Sequence, residues 1–164
     1  MPLAFTYPLM KRYTYWPQLF LGITFNYGLV LGWTAIKAQI DIIPLIFYLG
    51  AIFWTLGYDT IYGYQDIKDD EIIGLKSTSI KFKKNPYKFL ILCYSVFLLN
   101  LLITGFFIEL NSFFYLTFIL IILQMFYFQI KRLNIENSYE CLSIFKSNNF
   151  LGLLVLISLL GGKI

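Results

Sequence analysis

An all-α bundle of about five transmembrane helices, a polytopic membrane fold, is what this sequence predicts, and three observations carry the prediction. Hydrophobic residues make up 59% of the 164 and charged residues 13%, whereas soluble domains run at about 45–50% and about 25%. The mean hydropathy is +0.70. Apolar runs recur at lengths suited to a bilayer core, which roughly 20 helical residues cross. This composition excludes a disordered chain, a basic nucleic-acid-binding domain and an ordinary cytosolic enzyme. No internal repeat or low-complexity linker divides the chain, so residues 1–164 read as one transmembrane domain in a lipid bilayer.

The N-terminal run Met1–Met10 is apolar but too short to span, and Lys11-Arg12 follows it instead of preceding it. A signal peptide needs the opposite order, so the run is expected to be the tail of a longer helix. The first span is expected from about Trp16 to Ile36 and the second from about Ile42 to Tyr58. The third is expected from about Tyr87 to Phe107 and the fourth from about Phe113 to Ile130. The last, about Phe150 to Leu160, is short and reaches span length only by borrowing a Ser147-Asn148-Asn149 turn. Trp16, Trp33, Tyr48, Trp54, Tyr58, Tyr87 and Tyr127 fall mostly near these ends, as an interfacial aromatic belt would.

Five spans sort the basic residues by side. Lys11 and Arg12, the six between 59 and 88, and Lys131, Arg132 and Lys146 share one side, eleven of the thirteen; Lys37 and Lys163 take the other. The positive-inside rule makes the crowded side cytoplasmic, in an inner membrane.

Cys93 and Cys141 lie in apolar or amphipathic stretches, and the chain has no His. A zinc site of the Cys/His type is therefore excluded. The cysteines read as core thiols, and any metal must be held by oxygen ligands, as Mg²⁺ is.

One segment carries chemistry. Five of the nine acids fall within Tyr58–Glu71, at the end of the second span. Asp59, Tyr62, Asp66 and Asp70 are spaced 3, 4 and 4 apart and would form one stripe on a helix. Carboxylates stacked in this way repel unless a cation lies between them. Lys76 and Ser77 follow at once, then Lys81, Lys83, Lys84 and Lys88. Acids that hold metal beside groups that take phosphate oxygens are what a Mg²⁺–diphosphate site requires. A prenyl diphosphate suits the setting, with its tail among the helices and its head at the surface. A solvated loop would also look acidic and basic, and the Lys81–Lys88 cluster also reads as a topology signal in contact with lipid headgroups.

The string YDTIYGYQDIKDDEIIGLKSTSIKF resembles the second aspartate-rich motif of the UbiA-type intramembrane prenyltransferases, and most closely their 4-hydroxybenzoate polyprenyltransferase branch in ubiquinone biosynthesis. Thr6–Gly28 resembles the segment that opens the fifth helix of that family, and Phe145–Leu160 the start of its final helix. The strings KRYTYWPQ and GLKSTS favour the benzoate branch. The resemblance implies helices five to nine of a nine-helix bundle around a central cavity. It implies Mg²⁺-dependent transfer of a polyprenyl group from polyprenyl diphosphate to 4-hydroxybenzoate. Asp66 and Asp70 would be the metal-binding pair, supported by Asp59. Lys76 and Ser77 would face the diphosphate, and Tyr62 would belong to the substrate-binding groups. Arg12 and Lys11 would be candidates for the carboxylate of the aromatic acid or for diphosphate.

Two departures accompany the resemblance. Lys68 stands where relatives are often acidic. The family's first motif, an Asn/Asp-rich run, has no counterpart, since Asp41, Glu109, Glu136 and Glu140 stand isolated outside 59–71. The chain is therefore expected to be a C-terminal half, inactive alone, from a split gene whose product assembles with a separate N-terminal half or from a full gene with a wrongly chosen start. Two other readings stay open: a non-catalytic remnant of a decayed gene, and a small membrane transporter subunit. The clustering of the acids at one surface weighs against the second.

Overall fold

The computed structural model describes residues 9–164. The Met1–Met10 run and the first three residues of the Thr6–Gly28 segment fall almost wholly outside them. Five helices are long and apolar enough to cross a membrane, and no strand occurs among the described residues.

Residues 9–13 are helical. Helix α1, Pro17–Lys37, starts on Pro17, whose missing N–H costs nothing at that position. It ends with Lys37 at the negative end of the helix dipole. Helix α2, Ile42–Gln65, is the central element and packs against α1, α5 and α7. Two short helices follow at the membrane surface, α3 (Ile67–Ile73) and α4 (Thr78–Lys81). Helix α5 runs from Pro86 to Phe107, again from an N-terminal proline. Helix α6, Ser112–Leu123, is capped by the Asn111 side chain, which accepts from Phe113 N at 2.8 Å. It continues as a π stretch over Gln124–Ile130. Helix α7, Ser138–Lys163, is capped by Asn137, which accepts from Tyr139 N and Glu140 N.

The core lies between α2, α5, α6 and α7 and is built on Tyr94, Phe97, Phe114, Leu101, Ile121 and Leu151. Cys93 and Cys141 are both buried free thiols within it, as expected. Large apolar side chains such as Phe106, Leu116 and Leu153 point outward, which is the arrangement a bilayer solvent favours.

Two expected spans are longer in the structure. Helix α2 continues seven residues past Tyr58, which moves Trp54 and Tyr58 from a supposed interfacial belt into the bundle. Trp54 stacks on Phe97 with ring centroids 5.0 Å apart. The last span begins at Ser138, and Ser147, Asn148 and Asn149 are helical instead of forming a turn. Asn148 is tolerated there because its amide is satisfied. It accepts from Trp54 Nε1 at 2.9 Å and donates to Ile144 O at 3.2 Å.

Helix ends gather on two surfaces. On one, Ser138 Oγ donates to Gln65 O at 3.1 Å, and Tyr87 Oη to Leu133 O at 3.0 Å. These bonds join the end of α2, the starts of α5 and α7 and the loop after α6. On the other, Asn111 N donates to Gly162 O at 2.8 Å. Two spans separate Lys11 from the 66–85 segment, so the acidic stretch and most basic residues share the first surface.

Candidate functional site

The site lies where α2 leaves the bundle. Asp59 and Tyr62 belong to its last two turns. The expected single stripe is not continuous, because the helix breaks at Asp66 (φ −109°, ψ 12°) and α3 begins one residue later. Like charges four apart destabilise an uninterrupted helix, and the break lets Asp70 turn to a cation. Lys11 Nζ donates to Asp70 Oδ2 at 3.0 Å. Asp70 itself is buried, 6% exposed. Its amide N–H reaches Asp66 O at 2.9 Å, so the two acids sit one turn apart.

A short connection then folds back. Gly74, at φ 77°, ends α3 in the left-handed conformation that side-chain-bearing residues avoid. Lys76 N donates to Lys11 O at 2.7 Å, fastening the connection to the segment before α1. Lys76 Nζ reaches Tyr13 O at 3.4 Å and lies 5.7 Å from the Tyr15 ring centroid. Ser77 does not face outward. It is 1% exposed, and its Oγ accepts from Ile80 N at 3.3 Å as the N-cap of α4. Arg12 is exposed beside Lys11. Tyr62, at the surface, packs on Phe145 with centroids 4.7 Å apart.

The GLKSTS string matters mainly as a clamp. Thr78 N donates to Gln18 Oε1 at 3.1 Å. The Thr60 and Thr78 hydroxyls pair at 2.6 Å, and Ser79 Oγ donates to Thr60 O at 2.8 Å. All four residues are buried. Gly63 makes this possible, since a Cβ there would collide with the Ser79 hydroxyl. Gln18, Thr60, Gly63 and Ser79 were not anticipated from the sequence. The signal that could have found them is polar residues inside apolar spans, which need partners.

A second unanticipated feature is a recess of about 290 Å³ between α1, α2 and α7. Trp54, Tyr58, Phe145 and Phe25 give it aromatic walls, and Asn26, Thr55 and Asn148 give it polar ones. Asn26 Nδ2 donates to Thr55 Oγ1 at 2.8 Å. A buried chain holds the far wall: Tyr94 Oη donates to Gln129 Oε1 at 2.6 Å, and Gln129 Nε2 to Asn148 Oδ1 at 3.2 Å. Tyr58, the residue before Asp59, is part of its lining.

For a metal, the donors are of the right kind, hard carboxylate oxygens. Among the described residues no three His, Cys, Asp or Glu side chains converge on one point, so Asp59, Asp66 and Asp70 do not make an all-protein cage. Mg²⁺ does not ask for one, since it is usually held by one or two carboxylates together with substrate phosphates and water. Asp66 and Asp70 are two such carboxylates one helical turn apart, with Asp70 paired to Lys11.

Comparison with known proteins finds relatives of one kind. A 4-hydroxybenzoate polyprenyltransferase of Bos taurus mitochondria is 42% identical over 166 residues, 99% of this chain and 44% of that protein. A 4-hydroxybenzoate octaprenyltransferase of Francisella tularensis subsp. novicida is 40% identical over 159 residues, 94% of this chain and 54% of that protein. The mitochondrial polyprenyltransferase of Rattus norvegicus is 55% identical over 89 residues, 54% of this chain and 24% of that protein. The chain thus spans about half the length of the curated relatives it matches. No solved structure matches. The profile of the UbiA prenyltransferase family matches residues 1–154. Five membrane-length helices and this match, over nearly the whole sequence, place the chain in the UbiA prenyltransferase family.

Proposed function

We propose that this chain supplies one acidic side of a site that transfers a polyprenyl group from polyprenyl diphosphate to a ring carbon of 4-hydroxybenzoate, in ubiquinone biosynthesis. The observation that carries the reading is the pair Asp66 and Asp70, one turn apart where α2 gives way to α3, with Lys76 on the adjoining connection. Asp66 and Asp70 would hold Mg²⁺, with Asp59 one helical stretch earlier in support. When bound, Mg²⁺ offsets the charge that gathers on the departing diphosphate. Lys76 takes a diphosphate oxygen, and Arg12, free at the surface, takes the carboxylate of the aromatic acid. Lys11 neutralises Asp70 and so keeps the acidic turn in place. Ser77 shapes the loop by accepting from Ile80 N as the cap of α4, and its O–H remains a donor for a diphosphate oxygen. Trp54, Tyr58 and Phe145 present ring faces to the allylic end of the prenyl chain, which carries positive charge as its C–O bond breaks.

The basic-rich surface faces the cytoplasm of an inner membrane, by the distribution of Lys and Arg. Because one acidic turn cannot surround a diphosphate, the chain is inactive alone and needs an N-terminal half that brings the other acidic loop. Co-expression with such a half should give Mg²⁺-dependent prenyl transfer that neither half gives singly. Failure of every intact partner half to restore transfer would overturn the reading.

In the assembled enzyme, Lys76→Ala should raise KM for prenyl diphosphate about tenfold or more, the worth of a charge-assisted hydrogen bond. KM for the aromatic acid should change little. Arg12→Ala should show the reverse split. Steady-state kinetics with each substrate varied in turn distinguishes them, and equal effects on both constants would remove the assignments.

A further inference from the structure

On the flank of the site, the ends of α2, α5, α6 and α7 enclose two adjoining recesses of about 420 and 510 Å³. They share Lys83, Ile135 and Glu136 as a common wall. Lys68 lines the first, and Lys84 and Lys88 line the second. Lys83 is engaged with Glu71 at 2.8 Å, which leaves three lysines against Glu136.

The floor of the first recess has an unusual property. Tyr64, 1% exposed, and Gln65 both line it. Tyr64 Oη and Gln65 Oε1 are the two buried side-chain polar atoms that lack a hydrogen-bond partner among the described residues. Buried polar groups are almost always paired, so an unpaired phenol and an unpaired amide oxygen in the lining of one recess point to a ligand that offers both an acceptor and a donor. The lysines require that ligand to be anionic. The recesses lie at the level where helix ends meet the membrane surface, and Ile67 and Ile135 give the first an apolar edge.

We infer that these recesses form a binding site for the headgroup of an anionic phospholipid that carries a hydroxyl, of the phosphatidylglycerol type. Its phosphate accepts from Tyr64 Oη and is held by Lys68 in the first recess, Lys84 and Lys88 in the second add positive charge beside it, and its glycerol hydroxyl donates to Gln65 Oε1. A choline headgroup has no hydrogen-bond donor for Gln65 and no net charge for the lysines. The site adjoins the acidic turn, since Lys68 lies between Asp66 and Asp70 and Gln65 Nε2 reaches Asp66 Oδ1 at 3.4 Å, but its test reads lipid binding and not prenyl transfer.

The test is to purify the chain from membranes of equal phosphatidylglycerol and phosphatidylcholine and count co-purified lipids by mass spectrometry. Wild-type protein should retain phosphatidylglycerol over phosphatidylcholine by about tenfold, as one or two charge-assisted hydrogen bonds would give. Tyr64→Phe should cut that preference several-fold while leaving thermal stability in pure phosphatidylcholine unchanged or higher, since it removes an unpaired hydroxyl. Lys84→Gln with Lys88→Gln should cut it as well. If the lysine pair abolishes the preference and Tyr64→Phe does not touch it, attraction is by surface charge alone and the built site is refuted. Displacement of the lipid by an equal concentration of glycerol phosphate would show a free-phosphate site and overturn the lipid assignment.

Discussion

Asp66→Ala, introduced into the enzyme assembled with its N-terminal half, is expected to lower prenyl transfer by at least about a hundredfold while the protein still inserts in the membrane. Removing one preorganised group that stabilises developing charge commonly costs about 10²–10³ in rate. Asp66 is half-buried at a break between helices, and among the described residues its side chain has only a long contact with Gln65 Nε2, at 3.4 Å. Its loss therefore disturbs little packing. Asp70→Ala should be as damaging to turnover but carries a second effect. It strands Lys11, whose ammonium is 3.0 Å from Asp70, and should loosen the segment before α1. Initial rates across a Mg²⁺ titration read both variants. A near-normal rate in either would remove that acid from the metal-binding pair.

Gly63→Val is the second large effect, and it acts through backbone approach. The end of α2 meets α4 so closely at this position that any Cβ collides with Ser79. Ser79 cannot retreat without breaking its bond to Thr60 O, and Thr60 is paired to Thr78, which Gln18 holds in turn. Overpacking in a filled interior costs about 1–3 kcal/mol, and here the loss falls on the connection that carries Lys76. The expected result is a lower unfolding temperature in detergent, faster proteolysis near residues 74–81 and loss of turnover. Combining it with Ser79→Ala should recover part of the stability. Unchanged proteolysis and activity in Gly63→Val would show that the clamp does not position the connection.

The sequence was most legible where apolarity was uninterrupted. The boundaries of α1, α5 and α6 fall within a residue or so of expectation because water-averse runs end where polar residues begin. Helices α2 and α7 ran longer because polar side chains inside them are satisfied by partners far along the chain, Asn148 by Trp54 and Thr60 by Thr78. Composition cannot reveal such pairings. The acidic segment stands out in the sequence as the place where chemistry could lie, and its helical spacing holds up to Asp66, where α2 ends. Beyond that point the outcome depended on Lys11, 59 positions away from Asp70, which no periodicity encodes. The capping role of Ser77 was not legible, because a hydroxyl beside a lysine looks the same in sequence whether it meets a ligand or caps a helix.

The π stretch at Gln124–Ile130 carries a consequence for how this protein can vary in length. Its wide turns keep Met125, Gln129 and Ile130 all on the inner side. In a regular α-helix each residue advances by about 100°, so Met125 and Ile130 would point well apart. Wide turns of this sort behave as an extra residue lodged in a helix. Deleting one residue here would therefore act as a phase error for the helix surface, swinging Gln129 away from Tyr94 and Asn148. The loops at 108–111 and 131–137 can gain or lose a residue at the cost of a turn, whereas between 124 and 130 the count itself is part of the architecture.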